Sequence, residues 1–173
     1  MRSQSNRKGV ERLTAASICL SLSLILSYIE YLVIPPLFPG VKLGMANVLI
    51  MFLLFRYGIA DAVCVSLLRA FLSSFIFGNF SSLVFSVSGA VLSLSALVIC
   101  VFLGDRVSRI GASVFSAAMH GTGQILAAAV IYSSVGVIYY LPVMLLVSIP
   151  LGAVSGCMLI LIEARIIPVK KTE

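Results

Sequence analysis

Two ionisable side chains lie deep inside apolar stretches of this sequence, Arg69 and His120. Arg69 falls midway along the segment 59–77, and His120 falls midway along the segment 110–132. An arginine at the centre of a membrane-spanning helix costs roughly 3 kcal/mol on insertion scales, so it is seldom kept without a partner or a ligand. We therefore expect the interior of the chain to be its working part.

The composition indicates an integral membrane protein. Hydrophobic residues make up 61% of the 173 residues, charged residues make up 10%, and the mean hydropathy is +1.17. About 20 apolar residues are needed to cross a hydrocarbon core of roughly 30 Å, and this chain holds about six such runs. The predicted fold is all-α, a single transmembrane domain over residues 1–173 formed by a six-helix bundle. The predicted spans are 13–34, 43–57, 59–77, 83–103, 110–132 and 137–162, of which the second is short for a full crossing.

Positive charge is distributed on one side of this predicted topology. Apart from Lys42 and Arg69, every basic residue falls in the termini or in loops on the same side: Arg2, Arg7, Lys8, Arg12, Arg56, Arg106, Arg109, Arg165, Lys170 and Lys171. Basic loops concentrate in the cytoplasm, so the asymmetry predicts that both termini of this multi-pass chain are cytoplasmic. The location that we expect is the cytoplasmic membrane of a bacterium. The net charge of +6 is then explained without nucleic-acid binding.

Polar side chains inside the spans are concentrated away from the basic loops. Each helical residue adds 1.5 Å, so Arg69 and His120 both lie about 15 Å from the basic side, near the midplane. Three stripes at helical spacing are predicted to face one another: Ser23, Ser27 and Glu30; Ser66, Arg69 and Ser73; Ser113, Ala117, His120 and Gln124. The candidate substrate-binding residues of this outward-opening pocket are Glu30, Lys42, Asn47, Arg69, Asn79, His120 and Gln124.

These residue types suit an anionic ligand. Arg69, Lys42 and a protonated His120 would hold a carboxylate or a phosphate. Glu30 would balance charge or accept a hydrogen bond, while the amides of Asn47, Asn79 and Gln124 would orient the ligand. The loop 35–44, rich in proline and glycine, is either a lid over the pocket or an ordinary tight turn.

Structural alternatives remain open for the same residues. Glu30 can pair with Lys42 or with Arg69 for stability alone, and a lone histidine such as His120 can simply hydrogen-bond across helices. Gly152 and Gly156 belong to a small-residue surface that indicates either close helix packing or a partner interface.

Four stretches resemble a known family: Glu30, PGVKLGMAN at 39–47, LLRAFLSSFIFGN at 67–79, and HGTGQ at 120–124. Over nearly its whole length the chain resembles the family called heptaprenyl diphosphate synthase component I, or Gx transporter. That family is similar in turn to the substrate-binding S components of energy-coupling-factor transporters. The resemblance implies an S-component-like bundle with an outward-facing pocket, docked on a transmembrane coupling protein with paired ATPases. The docking alanines of S components, four residues apart, are replaced here, since Cys19 and Leu20 follow Ala15 and Ala16 at that spacing.

A catalytic role is not expected from the residues. Prenyltransferases bind diphosphate through magnesium held by DDxxD motifs, whereas the two aspartates here, Asp61 and Asp105, lie in separate loops. We predict no catalytic residues, no metal and no cofactor. The leading hypothesis is a membrane subunit that binds a small anionic or amphipathic nutrient for uptake. The alternative is an accessory subunit that anchors a soluble prenyl synthase subunit or receives its lipid product. A purely structural scaffold would leave Arg69 unexplained.

Overall fold

The protein is almost entirely helical. The structure, a computed structural model, describes residues 2–33 and 46–166. In that part of the chain there is no strand, and the α-helices are α1 Arg2–Val33, α2 Asn47–Arg56, α3 Ile59–Phe77, α4 Phe80–Leu103, α5 Arg109–Ile131 and α6 Leu141–Ile166. Short 3-10 helices cover Gly104–Arg106 and Val135–Tyr140. The all-α prediction is confirmed, while Lys42 and the loop 35–44 lie outside the described residues.

Five of the described helices are long and apolar enough to cross a membrane, and α2 is the exception. Its 10 residues rise about 15 Å, half of a hydrocarbon core, so α2 does not meet the prediction that the segment 43–57 crosses as a helix. The helix ends before Gly58, whose φ of +111° suits glycine and not a side chain with a Cβ. The predicted spans 59–77 and 83–103 fall within α3 and α4. The spans 13–34 and 110–132 each extend one residue beyond the described ends of α1 and α5, and the last span covers part of a 3-10 helix and most of α6.

The short α2 lies at the centre of the bundle. All its residues from Asn47 to Leu54 are buried, because a helix that is apolar around its whole circumference is stable only when it is enclosed. It packs against α1, α3, α5 and α6. The long helices α1, α3, α4, α5 and α6 are neighbours in that order, and α2 packs against both the first and the last of this series as well as against α3 and α5.

Side-chain contacts bring particular helix ends together. Arg12 Nε donates to Asp61 Oδ2 at 3.1 Å, which joins the N-terminal part of α1 to the start of α3. The guanidinium of Arg109 lies 3.8 Å from the ring centroid of Phe55, and its Nε is 3.5 Å from Glu163 Oε2. These contacts place the start of α5 close to the ends of α2 and α6. We call this end of the bundle, with its arginines, the basic end.

Aromatic rings mark the opposite end. Tyr28 and Tyr31 of α1 contact Phe77 of α3, with ring centroids 5.6 and 5.8 Å apart. Phe85 of α4 contacts Tyr132 after α5, with centroids 6.3 Å apart. We call this end the aromatic end. Successive helices run in alternating directions between the two ends.

Glycines bring α5 into close contact with both of its neighbours. A Cβ on Gly123 of α5 would lie 2.6 Å from the carbonyl oxygen of Ser88 on α4. A Cβ on Gly152 of α6 would lie 2.6 Å from the α-carbon of Val114 on α5, and Gly156 packs in the same way. The small-residue surface of α6 is therefore a packing surface within the bundle, which is the first of its two alternatives.

The buried interior is divided along the bundle axis. Nearer the basic end lies one apolar core, formed by Cys19, residues 48–54, Ala62, Val65, Leu94, Leu97, Cys100, Ala112 and Leu159. At 1.5 Å per residue these side chains lie within about 15 Å of the basic end. We call the remaining part, nearer the aromatic end, the polar half, and it contains most of the buried polar side chains.

Candidate ligand-binding site

The polar half surrounds the N-terminal end of α2. Because α2 begins at Asn47, midway along the bundle, no central helix continues from it toward the aromatic end within the described residues. Helices α1, α3, α4 and α5 bury polar side chains there: Ser23, Ser27, Glu30, Arg69, Ser73, Ser74, Ser86, His120 and Gln124. Most of these side chains belong to the three predicted stripes, and buried polar groups of this kind are what a binding region between helices requires.

Arg69 is the buried cation of this region. Its side chain on α3 is 6% exposed, and its Nη2 lies 3.5 Å from Asn47 Oδ1 on α2. That separation exceeds the 2.7–3.2 Å of ordinary N–H···O hydrogen bonds, and a guanidinium carries five donors. Asn47 therefore uses little of the hydrogen-bonding capacity of Arg69.

Glu30 supplies the compensating charge. It is 4% exposed on α1, and it interacts electrostatically with Arg69. A buried cation is strongly destabilising without an opposite charge, so Glu30 helps to keep Arg69 inside the bundle. Structural pairing and ligand binding both remain compatible with this arrangement.

Asn47 joins this pair at the start of α2. Its side chain is 6% exposed, and its Nδ2 has no hydrogen-bond partner among the described residues. Amide donors are normally satisfied when they are buried. The structure thus brings together three of the predicted residues, Glu30, Asn47 and Arg69, from three different helices.

His120 and Gln124 form a second group, on α5. Both are buried, and Gln124 Nε2 lies 3.2 Å from His120 Nε2, one helical turn away. The imidazole packs against α4, where a Cβ on Gly89 would lie 2.8 Å from His120 Cε1. Gly89 therefore provides the space for the ring, a role that its position in the sequence did not indicate.

Two predicted residues are not placed in these groups. Lys42 lies outside the described residues. Asn79 is exposed at the turn between α3 and α4, where its Oδ1 accepts a hydrogen bond of 2.8 Å from the backbone N–H of Ser82. It is the N-cap of α4, which explains why that helix begins at Phe80 and not at Leu83.

Buried serines were missed by the sequence reasoning. Ser74 on α3 and Ser86 on α4 each bury a hydroxyl without a hydrogen-bond partner among the described residues. The signal was the serine-rich stretch between 73 and 88, which hydropathy alone treats as spanning sequence. Among the described residues, the polar half combines the Arg69 guanidinium and the Glu30 carboxylate with side-chain amides and hydroxyls, groups that can recognise a small polar group.

Comparison with known proteins places the chain in a family. The model of the family described as heptaprenyl diphosphate synthase component I matches residues 19–162, a range that begins in α1 and ends in α6. No curated protein and no solved structure matches the chain. The likeness to S components therefore stays a prediction. The match covers well over half of the sequence and confirms the resemblance seen in its motifs, so the chain belongs to the heptaprenyl diphosphate synthase component I family.

Proposed function

We propose that this chain is a membrane-embedded substrate-binding subunit for uptake of a small anionic or amphipathic nutrient across a bacterial cytoplasmic membrane. The observation that carries the proposal is the buried guanidinium of Arg69 beside Asn47 and Glu30, outside the apolar core. Ionisable residues within membrane spans usually mark a substrate or ion pathway. Arg69 would bind the anion, while Glu30 would balance the charge in its absence.

A purely structural pair is a weaker explanation of Arg69. Replacing a buried ion pair by apolar side chains of similar volume is often neutral or stabilising, so stability alone gives little reason for such a pair. The long contact to Asn47 also leaves guanidinium donors for a further acceptor. His120 and Gln124 would contribute a second polar surface for the same ligand from α5.

The charge distribution supports one orientation. Arg12, Arg56, Arg109 and Arg165 lie at the basic end, which we assign to the cytoplasm. The polar half then lies toward the external side, where a nutrient would enter. This orientation gives both termini a cytoplasmic location.

Energy for transport would come from a partner protein. A transmembrane coupling protein with ATPases is the partner that the S-component likeness implies. Docking through alanines on the first helix has no support from packing, because Ala15 and Ala16 are half-buried and Cys19 is part of the apolar core. Any coupling protein would have to contact another face of this chain.

The second candidate function is an accessory subunit for a soluble heptaprenyl diphosphate synthase, and the family description favours it. The chain would then contact the synthase through the basic end, where Arg56, Arg106 and Arg165 are exposed. Co-purification of this chain with a DDxxD-bearing synthase, and higher synthase activity in its presence, would support that role over uptake.

The uptake proposal is tested by ligand retention. Wild-type protein is purified in mild detergent, and the small molecules released on denaturation are identified by mass spectrometry. We expect Arg69→Ala to lose the retained molecule, whereas Arg12→Ala, the same change in an exposed ion pair, keeps it. Equal retention by Arg69→Ala would refute the assignment of Arg69.

A further inference from the structure

The N-terminal end of α2 is a buried helix end without a side-chain cap. Its N-cap residue is Ala46, which is fully buried and has no side chain that can accept a hydrogen bond. The next residues, Asn47, Val48 and Leu49, are also buried. The first four N–H groups of an α-helix have no acceptor within the helix, so a buried end needs acceptors from elsewhere.

A second donor lies at the same place. Asn47 Nδ2 is buried and has no hydrogen-bond partner in the part of the chain that the structure describes. It is therefore a side-chain donor that would gain from an incoming acceptor. Unsatisfied buried donors of this kind are uncommon in folded proteins.

A third donor approaches from α3. Arg69 Nη2 lies 3.5 Å from the Oδ1 atom of Asn47, so the guanidinium borders the start of α2. The positive end of the helix dipole and the guanidinium charge both favour an anion. Glu30, which interacts with Arg69 electrostatically, supplies a negative charge from α1. An anion that binds there would accept hydrogen bonds from the amide of Asn47, from the guanidinium of Arg69 and from backbone N–H groups at the start of α2.

We propose that the start of α2, Ala46 to Leu49, together with the Asn47 amide and the Arg69 guanidinium, binds the anionic group of the ligand at the midpoint of the bundle. The group has the chemistry of a carboxylate or a phosphate, the anions that helix N-termini bind. This inference rests on the proposed function and adds the orientation of the ligand to it.

The ligand enters with its anionic group leading. Toward the basic end the interior is filled by the apolar core, in which Leu53, Leu97 and Leu159 are fully buried. The remainder of the ligand therefore extends the other way, toward the aromatic end, past His120 and Gln124. In membrane transporters, half-helices that begin near the midplane commonly point their N-termini at anionic substrate groups.

Asn47→Asp is the variant that tests this assignment. The aspartate has nearly the same shape, and it places a fixed carboxylate beside Arg69 and the start of α2, where an anion would otherwise bind. Asn79→Asp is the matched control, because it makes the same change at the exposed N-cap of α4, where Asp and Asn cap equally well. Neither change alters the length of a side chain.

The measurement is thermal unfolding of the detergent-purified proteins in sodium phosphate, sodium acetate or sodium chloride at equal ionic strength. A ligand that binds only the folded state raises the unfolding temperature. We expect phosphate or acetate to stabilise wild type and Asn79→Asp more than chloride does. In Asn47→Asp we expect the anion concentration that gives half of the rise in unfolding temperature to increase at least roughly tenfold. A tenfold weaker affinity corresponds to the loss of one charge-assisted hydrogen bond or more.

An equal response of Asn47→Asp and wild type, or no anion-specific stabilisation of wild type, would overturn the inference. If Asn47→Asp does not fold, Asn47→Ala is compared instead, with a weaker response expected and an unchanged one contradicting the assignment. A neutral amphipathic molecule that wild type retains and Arg69→Ala loses would keep the proposed uptake function and reject the anion site. Retention of no molecule by wild type would count against the proposed function itself.

Discussion

The imidazole ring of His120 on α5 packs against the α-carbon of Gly89 on α4. A Cβ at position 89 would lie 2.8 Å from His120 Cε1 and 3.0 Å from both ring nitrogens, closer than real Cβ atoms approach such groups. The missing side chain of Gly89 is therefore what allows the ring to be buried between the two helices. His120 then reaches Gln124 Nε2 at 3.2 Å.

Gly89→Ala should displace His120. The new methyl group would overlap the ring, and over-packing of this kind typically lowers the free energy of unfolding by about 1–3 kcal/mol. We also expect weaker retention of the ligand, because the ring would leave its place in the polar half. Denaturant unfolding and mass spectrometry of the retained molecule measure the two effects.

Gly9→Ala is the control for this change. Gly9 lies in α1 and has no atom within 4 Å of the Cβ position, so alanine there should leave stability equal or slightly higher. If Gly89→Ala matched Gly9→Ala in both stability and retention, the packing of His120 described here would be incorrect.

Gly152→Ala should loosen the contact between α5 and α6. The added methyl group would meet the backbone of Val114, which cannot move as a side-chain end can. We expect a loss of about 1–3 kcal/mol in the free energy of unfolding. Gly121→Ala is the matched control on the same interface, because its methyl group would make ordinary contacts at 3.6 Å with Met144. Comparable stability of the two variants would rule out the close approach at Gly152.

Asn79→Ala should affect stability without affecting the ligand. Removing the N-cap of α4 leaves the N–H group of Ser82 without its acceptor and costs about 1 kcal/mol. Ligand retention should be unchanged, because Asn79 is exposed at the turn, apart from Arg69. Loss of the ligand from a folded Asn79→Ala protein would show instead that Asn79 belongs to the binding site, as the sequence predicted.

The long helices were predictable because their apolar runs are longer than a membrane is thick. The segments 59–77 and 110–132 agree with α3 and α5 to within a residue. The predicted span 83–103 begins three residues after the start of α4 at Phe80, and Asn79 was interpreted as a ligand-binding residue, although Asn before a helix is also a common N-cap. The start of α2 was missed because Ala46 gives no capping signal and the residues before it are also apolar.

The candidate site was predictable in its residue types and its depth, but not in its contacts. The rise per residue places Arg69 and His120 near the midplane from the sequence alone. Which side chains meet depends on the rotation and separation of whole helices. The contact of Arg69 with Asn47, and that of His120 with Gly89, depend on packing between helices far apart in sequence. Residue spacing along one helix does not predict such contacts between helices.

The most direct test compares Arg69→Gln with the double variant Glu30→Gln, Arg69→Gln. Arg69→Gln removes the buried positive charge that interacts with the Glu30 carboxylate, so we expect the free energy of unfolding to fall. The double variant removes both charges, so its stability should recover much of that loss. Ligand retained by each detergent-purified protein is then measured by mass spectrometry. We predict a folded double variant that retains no ligand. A double variant that retains the ligand as wild type does would show that Arg69 serves only to pair with Glu30.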